Sequence, residues 1–461
     1  MIQQNKKDKR IFILSEEKPA KAVFKLGIPL VAGMFIMVLY NLVDTYFIGL
    51  TKDDYQLAAV NLAYPIMMIA IAVANMVGTG AASLIARSLG AGQTEKANHT
   101  VTVGVLLTVI NSVLMTVVGL YFLQEIVSGL GAKANTVAFT EQYAEVILWG
   151  SIFTMGSFTL GQLLRSEGSV KISIMGMVIG TIANMILDPV FIFGLGLQIR
   201  GAAIATILGN ALSTGISLWF YISGKTLLKM RWRYLRPTKE ILKEIFWVGV
   251  PATLETLLSS VAYIVNNNLA VGYGELTVAA MGIAQKIMTL GNYIYQGMAS
   301  GTQPLMGYNY GAKNYARMLQ VLKAGLLVVS SMEGVVMLVF GVFAPQLIGI
   351  FTENPEVIDI GSCVLRAVMC ILPFVGAVSM SRTSFQAMGK PQYAFGITLM
   401  RQLILYVPLL LALNCFIGFY GMIWAQPITE VIMMMVSVGI LYRIIKKLQN
   451  GGDGNVSTDE T

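Results

Sequence analysis

"FKLGIPLVAG", residues Phe24 to Gly33, and "FWVGVPATLE", residues Phe246 to Glu255, open two stretches of chain that match each other at a nearly constant distance. "SLGAGQTEKA" from Ser88 is answered by "NYGAKNYARM" from Asn309, and "RSEG" from Arg165 by "QAMG" from Gln386. The offset stays near 221 throughout. Chance likeness between apolar helices would not hold one register across separated loops, so the chain reads as two homologous halves.

Each half carries about six apolar stretches of roughly 20 residues, each long enough to cross a hydrocarbon core as a helix. The twelve are expected to begin near Phe24, Leu57, Thr100, Val137, Lys171, Gly201, Ile245, Thr277, Leu319, Ile358, Tyr393 and Tyr420. Of the 461 residues, 56% are hydrophobic and only 12% charged, a balance that no water-soluble domain of this size carries on its surface. An all-α integral membrane protein follows. Six spans per half insert both halves the same way up, related by a pseudo-two-fold along the membrane normal. The expected divisions are a cytoplasmic N-terminal segment 1–23, an N-lobe 24–222, a linker 223–244, a C-lobe 245–447 and a disordered tail 448–461.

A net charge of +8 raises the question of nucleic acid, which the position of the charges answers. About 26 of the 32 lysines and arginines fall in loops on one side of the twelve-span arrangement, against about three (Lys52, Lys133 and Arg200) on the other. The basic residues set topology, and both termini are expected in the cytoplasm of a cell-membrane protein. The first 23 residues are charged and polar, unlike a cleavable signal. Cys363, Cys370 and Cys415 all fall in predicted spans and read as packing residues.

The sharpest local signal is "NMILDPVFIFGLG", Asn184 to Gly196. Asn184 and Asp188 are four residues apart and share a helical face. Pro189 has no N–H, so the carbonyl of Met185 loses its helical partner and is available as an oxygen ligand. Amide, carboxylate and carbonyl suit a proton or a hard cation such as Na⁺. Asp44 on the first span and Thr206 on the sixth fall at about the same depth as Asp188, some 8 Å below the outer surface at roughly 1.5 Å per residue. Two carboxylates facing one apolar cavity raise each other's proton affinity. Small residues at Gly176 and Gly180 allow close helix approach.

The Gly-x-Pro opening of each half, the Gly-Ala loops after the second and eighth spans, and "NMILDPVFIFGLG" together resemble the multidrug and toxic compound extrusion (MATE) transporters, in their DinF-like branch. The resemblance covers nearly the whole chain. It implies a V-shaped pair of six-helix bundles and cation-coupled efflux of organic, often cationic, drugs, with H⁺ or Na⁺ as the coupling ion and no other cofactor. It further implies a cation site formed by Asp44, Asn184, Asp188 and Thr206, and bending of the first helix near Pro29. Small-molecule drugs or toxic compounds and membrane lipids are the expected partners of a monomer, with no nucleic acid.

Through the repeat, Asp44 falls on Asn266, Asn184 on Leu405, Asp188 on Leu409 and Thr206 on Gln426, so the C-lobe lacks a duplicate site. Glu255, Lys286, Arg401 and Glu430 instead fall near mid-membrane on four C-lobe helices. They read equally as a structural salt-bridge network or as part of the substrate cavity. Other MATE branches carry a functional glutamate on the seventh helix, but Glu255 lies about one turn too early for that pattern. Met37, Tyr40, Asn41 and Tyr64 are candidates to line the substrate cavity, since aromatic faces attract organic cations and thioethers adapt to varied shapes.

Two rivals remain to be weighed. A flippase for lipid-linked saccharides has a related fold but calls for a cationic cavity, whereas the buried charges of the N-lobe are acidic. An enzyme calls for a catalytic cluster, and His99 stands alone in a cytoplasmic loop without a nucleophile motif.

Overall fold

The computed structural model describes residues 2–50 and 54–450. Outside that description lie also the side chains of 2–8, 40–42, 44–46, 48–49, 54, 57, 134, 256–257, 260–261, 263–264, 267, 271 and 275. Twelve helical spans follow one another. In the first half they are Pro19–Gly49, Asp54–Gly90, Thr94–Tyr121, the bent pair Ala134–Trp149 and Ser151–Ser166, Val170–Pro189, and Gln198–Ile222. The second half repeats the order with Lys239–Val271, Glu275–Gly311, Tyr315–Val342 and the bent pair Pro355–Met369 and Leu372–Ala387. It closes with an eleventh span built from Pro391–Leu399, Met400–Tyr406 and Val407–Ile417, and a twelfth, Phe419–Gln449. Among the described residues, eight helices are long and apolar enough to cross a bilayer, and each bent pair adds one span. The seventh and eighth, at 33 and 37 residues, have the length and carry more polar side chains. Large apolar side chains such as Val117, Leu338 and Val342 face outward, as lipid-facing positions do.

The repeat is visible in backbone geometry. Gly92 and Lys313, 221 apart, both take a positive φ, 74° and 55°, at the turn after the second and eighth spans. The same hydrogen bond closes both turns: Gln93 N–H to Ser88 O, and Asn314 N–H to Asn309 O. Gly168 and Gly389 likewise match, each followed by a bond that spans five residues, Ser169 to Leu164 and Lys390 to Phe385. The fourth and tenth spans bend by 51° and 42° at equivalent places. In the fourth, Gly150 stands at the break, where a Cβ would lie 2.2 Å from Ile207. In the tenth, Pro373 enters the first turn of the new helix, where its missing N–H costs nothing.

The chain forms two compact units. One comprises Met1–Phe12 and Ala32–Thr253, the other Ile13–Val31 and Leu254–Thr461. These divisions differ from lobes cut at the linker: each unit takes the opening turns of the other half. They change two residues after Pro29 and two after Pro251. Glycines explain the exchange. In the first unit, a Cβ on Gly80 or Gly249 would lie 2.0 Å from the carbonyl oxygen of Ile245 or Met76, so the seventh span's opening and the second span touch backbone to backbone. In the second unit, Gly27 meets Met298, and a Cβ on Gly301 would fall 2.6 Å from Gly27 Cα. Small residues supply the close approach that apolar lipid cannot drive.

The N-terminal segment, read from sequence as merely charged and polar, folds as a helix, Ile2–Ser15. In the first unit Arg10 donates to the Lys225 carbonyl at 2.9 Å. Beside it Glu167 is fully buried and accepts from Ser169 Oγ at 2.7 Å and Leu228 N–H at 3.0 Å. Burial pushes the Glu167 carboxyl up to about 7, against the opposing pull of these bonds and of Arg10. In the second unit, Leu14 and Glu17 carbonyls accept from Arg317. Residues 451–461, most of the predicted tail, lie outside the described residues.

Candidate functional site

The fifth and sixth spans cross at two glycines. A Cβ on Gly180 would lie 2.4 Å from the Gly209 carbonyl oxygen, and one on Gly209 would lie 2.6 Å from that of Gly180. Gly176 packs one turn away against Ser213 and Ser217. This contact brings together side chains that local periodicity had already put on one face. One turn outward from the crossing, Asn184 Nδ2 donates to Asp188 Oδ1 and to Thr206 Oγ1, both at 3.4 Å, the long end for such bonds. All three are buried, Asp188 completely.

Gly209→Ala is therefore expected to force the two spans apart and disturb this cluster, at a cost of about 1–3 kcal/mol for overpacking. Gly215→Ala, six residues on in the same helix, meets open space and is expected to leave the melting temperature unchanged. Thermal unfolding of the detergent-solubilised variants makes the comparison.

The donor set is all oxygen. Asn184 Oδ1 is buried without a hydrogen-bond partner among the described residues, beside the Asp188 carboxylate and the Thr206 hydroxyl. Carboxylate, amide oxygen and hydroxyl fit a hard monovalent cation, and the carboxylate alone fits a proton. Beyond Pro189 the helix widens into a π turn, Val190–Gly194, where Leu195 N–H reaches back to Val190 O at 2.9 Å. Such turns recur at functional sites because they re-aim carbonyls and side chains. Of the other predicted residues, Asp44, Tyr40 and Asn41 sit on the first span, but their side chains lie outside the described residues. Met37 is half-buried and Tyr64 is exposed.

The second unit holds buried charges, paired differently from the expectation. Glu255 is matched by Arg382, whose Nη1 lies 2.7 Å from Oε2, and Gln386 Nε2 adds a bond of 3.2 Å to the same oxygen. Glu430 is matched by Arg401, through Nε at 2.7 Å and Nη2 at 2.5 Å. Lys286 does not join: it is exposed and forms no ion pair among the described residues, because the eighth helix turns it away from both acids. Sequence reasoning missed Arg382, which looked like a cytoplasmic loop base. It also missed Glu333, fully buried on the ninth span with neither oxygen hydrogen-bonded among the described residues. The signal for Glu333 was available, as the lone acid in the apolar run from Leu319 to Val342.

A buried acid, amide and hydroxyl inside a bundle of twelve spans define a multi-pass membrane transporter rather than an enzyme. The chain belongs to the MatE family, whose model matches residues 29–190 and 251–411, one copy in each half. It is 28% identical over 442 residues to the multidrug export protein MepA of Staphylococcus saprophyticus, covering 96% of this chain and 98% of that one. MepA of Staphylococcus haemolyticus is 29% identical over 445 residues, covering 96% and 97%. Among solved structures, the crystal structure of MATE in the straight conformation matches with a TM-score of 0.90 at 29% identity, covering 96% of this chain and 99% of that one. The bent conformation matches with the same score and identity, covering 96% and 98%. A MOP superfamily transporter from Pyrococcus furiosus matches with a TM-score of 0.89 at 29% identity, covering 96% and 99%.

Proposed function

We propose that the chain is a cation-coupled antiporter that exports organic, often cationic, drugs and toxic compounds across the cell membrane by alternating access. Both termini face the cytoplasm, and the working form is a monomer. The observation that carries the reading is the buried Asn184–Asp188–Thr206 cluster, an oxygen-lined group deep in an apolar bundle, together with the names of the curated relatives. Asp44, from the first span, completes it.

An ionised carboxylate in this setting is costly to bury, and binding a proton or Na⁺ relieves the cost. Neutralised and charged forms of the cluster therefore favour different packings of the first, fifth and sixth spans, and the drug is held in only one of them. Pro29 interrupts the hydrogen-bond ladder of the first span and is the natural place for that helix to bend. A lipid-linked saccharide flippase would need an excess of buried bases at this site, and the described side chains here supply none.

Dye efflux from proteoliposomes under separately imposed pH and Na⁺ gradients tests the reading. Export that follows one of the two inward ion gradients is expected, and export indifferent to both would refute coupling.

A further inference from the structure

The second unit contains a polar cavity of about 120 Å³ between the seventh, eighth, eleventh and twelfth spans, with Asn266, Arg401, Tyr406, Gln426 and Glu430 in its wall. Its position follows from the repeat. Asn266 and Gln426 are the counterparts of Asp44 and Thr206, so this is the same inter-helix place that holds the acid cluster in the first unit. One turn inward the halves diverge. Arg401 minus the offset of 221 is Gly180, and Glu430 falls on Gly209. Where the first unit brings two glycine backbones into contact, the second inserts an arginine and a glutamate. The eleventh span also widens into a π-helical stretch, Met400–Tyr406, around that arginine. Two bulky side chains in place of two glycines hold the helices apart, and the cavity is the consequence.

The ion pair is lopsided. Both Arg401 Nε and Nη2 reach the same oxygen of Glu430, Oε1. Oε2 is buried, has no hydrogen-bond partner among the described residues, and belongs to a side chain only 1% exposed that lines the cavity. A carboxylate oxygen at such a place needs an N–H or O–H donor. The described buried charges of this unit's bundle are three acids, Glu255, Glu333 and Glu430, against two arginines, Arg382 and Arg401, so the local field favours a cation.

We propose that this cavity is a second binding site that receives the planar N–H-bearing head, amidinium or guanidinium, of an organic cation. The head donates to Glu430 Oε2 while Arg401 keeps Oε1. At roughly 30 Å³ per water, 120 Å³ corresponds to about four waters. That is room for such a head and too little for a whole drug, so the remainder leaves through the mouth, where Gln402 Nε2 donates to the exposed Ser259 Oγ at 3.2 Å. A bare metal ion fits less well, since Glu430 is the one carboxylate in the wall and a guanidinium stands beside it. The inference deepens the drug-export reading, on which it rests, by naming a substrate class for a site separate from ion coupling.

The test measures affinity of the purified full chain for stilbamidine, a fluorescent diamidine, and for tetraphenylphosphonium, a cation without N–H donors. Glu430→Gln is expected to weaken stilbamidine binding about tenfold or more, the worth of a hydrogen bond to a charged group, and to leave tetraphenylphosphonium within about twofold. Ser259→Trp, an exposed position that plugs the mouth, is expected to weaken stilbamidine similarly, and it decides the matter alone if Glu430→Gln does not fold. Asp188→Asn is expected to retain stilbamidine affinity. Wild-type protein that does not bind stilbamidine, unchanged binding in the plugged variant, or loss of binding in Asp188→Asn would each overturn the proposal. Gradient-independent efflux with these binding results intact would overturn the coupling reading alone.

Discussion

Asp188→Asn is expected to reduce gradient-driven efflux to the level of protein-free vesicles while leaving the protein folded. The substituted side chain is nearly isosteric, its Oδ1 can still accept from Asn184 Nδ2, and a neutral amide is cheaper to bury than a carboxylate. What is lost is titration and cation binding. A site fixed in its neutral form no longer exchanges an ion for a drug, so transport stops although the drug cavity is still there. Asp44→Asn is expected to behave alike. Leu409, which stands where the repeat would place a second Asp188, is expected to accept Met with little loss, as a volume-conserving apolar change. Efflux measured at equal expression, across pH and Na⁺, separates these outcomes. Normal pumping by Asp188→Asn under every gradient would move coupling to the charged residues of the second unit.

The second large effect is structural. Arg382→Met leaves the buried Glu255 without its ion partner, and such half-broken pairs cost about 3–5 kcal/mol. Arg382 is itself one-third exposed, so the low end of that range is expected. Adding Glu255→Gln to the same chain is expected to restore most of the loss, because Gln386 can still donate to the new amide oxygen. Thermal unfolding and recovery of monodisperse protein report both steps. If Arg382→Met alone proves harmless, Glu255 is protonated in the folded protein and the pair is not an ionic one.

The contrast between the two units explains why one coupling cluster and one polar cavity arise from a duplicated sequence. In the first, glycines at 180 and 209 close the crossing and press Asn184 against Thr206. In the second, Arg401 and Glu430 occupy those places and keep the crossing open. Divergence at two positions changed a contact between backbones into a lined space.

Much of this architecture is set by local pattern. Apolar runs of spanning length mark the twelve helices, and the offset of 221 recurs in the paired turns of Gly92 with Lys313 and Gly168 with Gly389. Asn184 and Asp188 share a face because four residues make about one turn, whatever the surroundings. Small residues at Gly176 and Gly180 announce a close crossing without naming the helix that makes it. Only the tertiary structure decided partners. Arg382 rather than Lys286 meets Glu255, Arg401 meets Glu430 through a single oxygen, and the units exchange their opening turns just past Pro29 and Pro251. The physical reason is that hydropathy and helical period govern a residue's depth and face. Which distant helix lies opposite depends on where backbones can approach, and that is settled by glycines on both sides of a contact at once.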